Sequence, residues 1–224
     1  MQLNGRIRMV RSVRRGVTLV EMLVGIGITV LLIALIFPGL KRSMETASGA
    51  RCVSNLRQLA SLFNMYAQEK GRYPQIYRVG SSGHWYYNAD FLALMNTTDA
   101  EVWAGRVKVY LCPADKDGNK NISIDGKTRF LSYGANIMLG TGESDVDTSP
   151  NYRAIAPPRV SAPSKLIMLL DAHNFFFNPA DNGASAVSFR HGGRLHAAFT
   201  DGHVESREEI DSDPSLLWPD GVPH

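Results

Sequence analysis

Several things are missing from this 224-residue chain, and each absence removes a class of function. There is no basic stripe with interleaved aromatics, which argues against nucleic-acid binding. No HExxH or comparable ligand spacing marks a metalloenzyme, and no nucleophile elbow marks a hydrolase. No internal repeat or low-complexity tract appears. Only two cysteines are present, Cys52 and Cys112. Acid is absent from the first 20 residues, and between Arg15 and Lys41 a run of 25 residues carries one charge, Glu21.

The overall charge of +3 conceals an uneven distribution. Arg6, Arg8, Arg11, Arg14 and Arg15 precede the first acid. Setting these five aside leaves 19 basic against 21 acidic residues, so the chain is a basic leader on a mildly acidic body. Residues 17–37 are apolar apart from Thr18, Glu21 and Thr29. At 1.5 Å per residue they span roughly 30 Å as a helix, about the thickness of a hydrocarbon core. The preceding arginines favour a cytoplasmic N-terminus, against the weaker opposition of Lys41 and Arg42. The body is then expected outside the cytoplasm, where Cys52 and Cys112 read as a disulfide rather than a thiol pair.

Glu21 is the anomaly, because a carboxylate inside a bilayer costs roughly 2.5–3.5 kcal/mol on insertion scales. A plain signal anchor leaves it unexplained. A secretory signal peptide calls for a shorter apolar core, although Thr46-Ala47-Ser48 offers a small-residue cleavage site. A third reading puts the cut between Gly16 and Val17, which creates a cationic α-amine four residues from Glu21. Carboxylate and ammonium would then pair, within one chain or between neighbours, and set axial register as a buried polar residue does in a coiled coil.

The run RRGVTLVE, residues 14–21, resembles the prepilin cleavage and methylation motif of type IV pilins and type II secretion pseudopilins. The resemblance implies cleavage after Gly16 by a prepilin peptidase, N-methylation of Val17, and an assembly role for Glu21. The family usually has Phe after the glycine, where this chain has Val17. Pro38 lies where pilin helices commonly carry a kinking proline. Implied partners are the peptidase/methyltransferase, other pilin or pseudopilin subunits through the N-terminal helix, and an inner-membrane assembly platform.

Beyond Pro38-Gly39 the helical pattern resumes. Val53, Leu56, Ala60, Phe63 and Ala67 form an apolar stripe flanked by Cys52, Leu59 and Tyr66, expected to pack on the protein's own core. Gly71 and Pro74 stop the helix. The organisation is therefore a removable leader (1–16), a membrane or assembly helix (17–38), its amphipathic continuation (39–70), and an extracytoplasmic sheet domain (71–224). Residues 90–95 read as a short helix, and 106–112, 130–133 and 166–170 as strands; 141–158 reads as an exposed loop. One long helix followed by strands predicts an α+β fold with an antiparallel sheet, which the pilin resemblance also implies.

The segment SFRHGGRLHAAFTDGHVES, residues 188–206, reads as strand, turn, strand, turn, strand, with turns at Gly192-Gly193 and Asp201-Gly202. His191, Asp201 and Gly202 resemble the H-X9-DG signature of a subgroup of prepilin-processed proteins. CVSNLRQ (52–58), GRYP (71–74) and LCPAD (111–115) agree with that subgroup. Three readings of the hairpin stay open. In the structural one His191 hydrogen-bonds near the Asp201 turn, and Asp201 closes that turn itself. In the metal one Asp171, His173, His191, His196, Asp201 and His203 supply transition-metal ligands. In the catalytic one His191 is a base oriented by Asp201. A separate calcium candidate is Asp115, Asp117 and Asn119, although Lys120 and Gly126 stand where an EF-hand loop needs Gly and Glu. The favoured expectation is a structural subunit, not an enzyme and without a cofactor. The alternatives are an anchored binding module and a metal-binding protein that does not polymerise.

Overall fold

A computed structural model of the chain describes residues 16–76, 84–116, 130–140, 155–178, 186–210 and 213–219. It divides into two compact units, Met1–Met44 and Glu45–His224. The leader through Arg15, Asp117 and Asn119 of the calcium candidate, and loop residues 141–154 lie outside the described residues.

Helix α1 spans Leu19–Lys70. Its start is written locally. Thr18 and Glu21 stand three apart, the spacing of a capping box, and the bonds are reciprocal. Glu21 N–H donates to Thr18 Oγ1 at 3.3 Å, while Thr18 N–H and Oγ1–H both donate to Glu21 Oε2 at 2.9 Å. The helix ends at Gly71, whose φ of +72° closes it in the left-handed region. Helix α1 runs on through Pro38 and Gly39.

The apolar half of α1, Leu19–Phe37, is long and apolar enough to cross a membrane. Its large side chains are all exposed. Within the second unit the helix buries one face. Cys52, Leu56, Leu59, Ala60, Phe63, Tyr66 and Ala67 are buried, whereas Val53 lies at the edge of the stripe. The positions expected to flank the stripe are thus as deep as the stripe itself.

The body is α+β, with a five-stranded mixed sheet. Its strands are β1 (Tyr133–Asn136), β2 (Ile167–Asp171), β3 (Phe176–Phe177), β4 (Leu195–Phe199) and β5 (Val204–Arg207), in the order β3-β1-β2-β4-β5. The pairs β1–β2, β2–β4 and β4–β5 are antiparallel. The pair β1–β3 is parallel, which corrects the expectation of a purely antiparallel sheet. Short helices α2 (Ala89–Leu94) and α3 (Asp99–Trp103) precede the sheet, and α4 (Pro214–Leu217) follows it.

Both faces of the central strands are covered. Met168 and Leu169 of β2 and Ala198 of β4 join the core formed with the α1 stripe, Trp85 and Phe91. Ile167 and Leu170 of β2, with Leu195, Ala197 and Phe199 of β4, pack instead with Leu216, Leu217 and Trp218. Two polar positions that alternate with the apolar ones here do not face water: His196 in β4 and Thr200 just after it are buried. Phe175 and Phe177 are core as well.

The strand expected at 106–112 is not one. Lys108–Tyr110 is a 3-10 turn. Tyr110 is buried and donates its hydroxyl to the Tyr86 carbonyl at 3.0 Å. The Asn55 amide of α1 donates to the Leu111 carbonyl at 2.8 Å, taking a group that a sheet ladder would have used. Strand β1 likewise begins at Tyr133, where the sequence placed its end.

Candidate functional site around Asp171, His191 and His196

Three segments deliver the site. Asp171 is the last residue of β2, His196 lies inside β4, and His191 opens the turn that leads into β4. That turn depends on Gly192 and Gly193, with φ of +65° and +85°. His191 and Arg194 bond across it in both directions, N–H to carbonyl, at 3.0 and 3.3 Å. A two-residue hairpin with positive φ at both central positions suits glycine above all, and it turns His191 back toward β2.

Asp171 is fully buried. Its Oδ2 accepts the His196 backbone N–H at 2.8 Å and lies 3.2 Å from His191 Nε2 and 3.4 Å from His196 Nδ1. The two imidazoles are tilted against each other with centroids 4.1 Å apart. Burial alone would push the Asp171 carboxyl up. The hydrogen bonds from His191 and His196, with the charge of His191, outweigh that and hold it below its ordinary value. Within this cluster two buried polar atoms stay unsatisfied: Asp171 Oδ1 and His196 Nδ1, whose 3.4 Å approach to the carboxylate falls short of hydrogen-bond geometry.

The same corner holds a disulfide between Cys52 of α1 and Cys112, with Cα atoms 5.0 Å apart. His191 Nε2 lies 3.5 Å from Cys112 Sγ. Next to it is a buried ion pair that sequence reasoning missed. Arg190 donates from Nη1 to Asp115 Oδ2 at 2.6 Å, from Nη2 to the Ala172 carbonyl at 2.6 Å, and from Nε to Ser188 Oγ at 3.0 Å. Ser132 Oγ–H donates to the same Asp115 oxygen at 2.8 Å. Asp115 thus braces the corner through Arg190, a use that competes with the calcium role expected of it. The LCPAD and FRHGG segments, some 75 residues apart, meet here.

The remaining candidates lie elsewhere. Asp201 Oδ1 accepts the His203 backbone N–H at 3.1 Å and sits 2.6 Å from His203 Nδ1. It closes its own turn, and His203 stacks on Phe199 at 4.2 Å. His191 and Asp201 flank opposite ends of β4, so the expected bond between them does not form. Five strand residues separate them, roughly 17 Å of rise. The carboxylate that His191 meets is Asp171. His173 is exposed outside the cluster. Of the transition-metal candidates, Asp171, His191 and His196 come together; His173, Asp201 and His203 do not.

The fold and the site together define an α+β chain with, among the described residues, one helix long and apolar enough to span a membrane. No family model, curated protein or solved structure matches it.

Proposed function

We propose that this chain is a membrane-anchored structural subunit, cut between Gly16 and Val17 and assembled through α1 into a type II secretion or type IV pilus-like filament. The observation that carries the reading is the exposed apolar helix Leu19–Phe37 with its lone carboxylate, Glu21, turned toward the helix start. Such a surface requires lipid, other helices, or both. Cleavage would place the Val17 amine beside Thr18, whose N–H already points at Glu21 Oε2. The N-terminus lies in the cytoplasm and the body outside the inner membrane. A prepilin peptidase, sister subunits and an assembly platform are the partners.

The Thr18–Glu21 capping box favours one competing reading, an anchored module that does not polymerise, because it gives Glu21 a local task. Glutamine at the third position also completes a capping box but carries no charge. Glu21→Gln therefore separates the two. Under the filament reading it abolishes crosslinking between neighbouring α1 helices while the chain stays in the membrane. Crosslinking at the wild-type level would sink that reading and leave the anchor. Processing is checked by intact mass and N-terminal sequencing of protein from its native membrane. The expected species begins at Val17 with about 14 Da added for one methyl group; an intact Met1 overturns the proposal.

A further inference from the structure

We propose that Asp171, His191 and His196 form a binding site for one divalent transition-metal ion of the zinc type. The site lies within the Glu45–His224 unit and does not depend on the filament reading.

The first argument is spacing. Asp171 Oδ2, His191 Nε2 and His196 Nδ1 lie within 4.8 Å of one another. The carboxylate oxygen is 3.2 Å from the first nitrogen and 3.4 Å from the second. Metal–ligand bonds of 2.0–2.1 Å at tetrahedral angles place neighbouring ligand atoms about 3.3–3.4 Å apart. Both carboxylate–imidazole separations match that edge length, and the imidazole–imidazole edge, within 4.8 Å, is the one that would close onto an ion.

The second argument is unmet bonding. His196 Nδ1 and Asp171 Oδ1 are buried without a hydrogen-bond partner. A polar atom left so is desolvated without compensation, which an ion bound to His196 Nδ1 would relieve at that atom. The nearest strong cation does not relieve it, because Arg190 is committed to Asp115, the Ala172 carbonyl and Ser188. The carboxylate is meanwhile held in place by the His196 backbone N–H at 2.8 Å, the outer support usual for a metal-bound carboxylate.

The third argument is donor chemistry. Two imidazoles and one carboxylate suit zinc, cobalt or nickel rather than calcium or magnesium, which prefer oxygen donors throughout. Coordination through Nδ1 of His196 leaves its Nε2 protonated, and coordination through Nε2 of His191 leaves its Nδ1 protonated. Three protein ligands leave the fourth position to water. The sulfur of Cys112, although near His191, is held in the disulfide and is no thiolate ligand.

The test uses the full-length chain in detergent, stripped with chelator and titrated with zinc against a competing indicator and with cobalt by visible absorption. One equivalent is expected per chain, with a cobalt band of the tetrahedral type. His196→Ala and Asp171→Asn should each weaken zinc at least tenfold, and zinc should raise the melting temperature of the wild type but not of His196→Ala. His203→Ala, outside the cluster, should bind as the wild type does. No stoichiometric uptake by the folded wild type overturns the proposal, and needs no variant to fold. So does unchanged affinity in His196→Ala, or loss in His203→Ala alone.

Discussion

The two halves of α1 share one helix and differ in almost everything else. In Leu19–Phe37 the large apolar side chains are between 50 and 79 % exposed. From Cys52 to Ala67 the buried stripe is at most 6 % exposed. The second half alternates apolar and polar residues at helical spacing and finds its cover within the chain. The first half is apolar all round, so no single face of a small sheet could bury it. A helix that is hydrophobic on every side declares an external solvent or partner, whereas a striped one declares a core.

The sharpest way to test that contrast is the covalent tie on the second half. Replacing both Cys52 and Cys112 with serine opens a constraint between residues 60 apart. The body should lose about 4 kcal/mol of unfolding free energy on the chain-entropy model. Denaturant unfolding measures it, and membrane partition of the chain should not move. A shift below about 1 kcal/mol would show that the corner around Cys112 holds without its bridge.

A paired truncation compares the halves directly. Leu59→Ala, in the buried stripe, should cost the body about 3 kcal/mol, within the usual range for a fully buried leucine. Leu31→Ala, 63 % exposed, should stay within about 0.5 kcal/mol in the same unfolding assay. Equal costs would mean that the exposed half is covered by this chain after all.

The mildest expectation is a pH effect confined to the body, since residues 19–37 contain no tyrosine. Burial pushes the Tyr73 phenol up to about 12, and burial raises Tyr110 and Tyr133 as well. An unfolded phenol ionises near 10. Between about 10 and 12 the unfolded chain has lost a proton that folded Tyr73 keeps, so stability falls as pH rises. Tyr73's contribution is intact below pH 10 and gone above about 12. Tyrosinate absorbance and urea midpoints at pH 9, 10 and 11 report it. Full phenol ionisation near pH 10 in a still-folded chain would contradict the buried placement.

Local signals in the sequence carried far. The apolar run, the stop at Gly71, the helix at 90–95 and the strand at 166–170 depend on neighbouring residues alone, and each has its counterpart in the fold. The turns at Gly192-Gly193 and Asp201-Gly202 are equally local. What failed was decided by distant contacts. Val107, Val109 and Leu111 alternate as a strand would, yet Tyr110 is drawn inward and Asn55 takes the Leu111 carbonyl. The nine-residue interval from His191 to Asp201 suggested a pair, but β4 separates them and Asp171 intervenes from another strand. His196 alternates with the apolar residues of β4 and is buried all the same, because both faces of the sheet are covered. One signal was available and went unread as a cap: Thr18 and Glu21 stand at the spacing of a capping box, as Thr98 and Glu101 do at α3.

Arg190 sets a limit on how this chain can vary. Its guanidinium bonds three groups at once, Ser188 on its own segment and Asp115 and Ala172 on two others, through nitrogens whose directions are fixed by one plane. A lysine there would keep the charge but offer a single point of attachment, so two of the three connections would lapse together. Even the nearest chemical substitute would thus loosen this corner, and Asp115, whose carboxylate has no other cation beside it among the described ion pairs, depends on the same guanidinium.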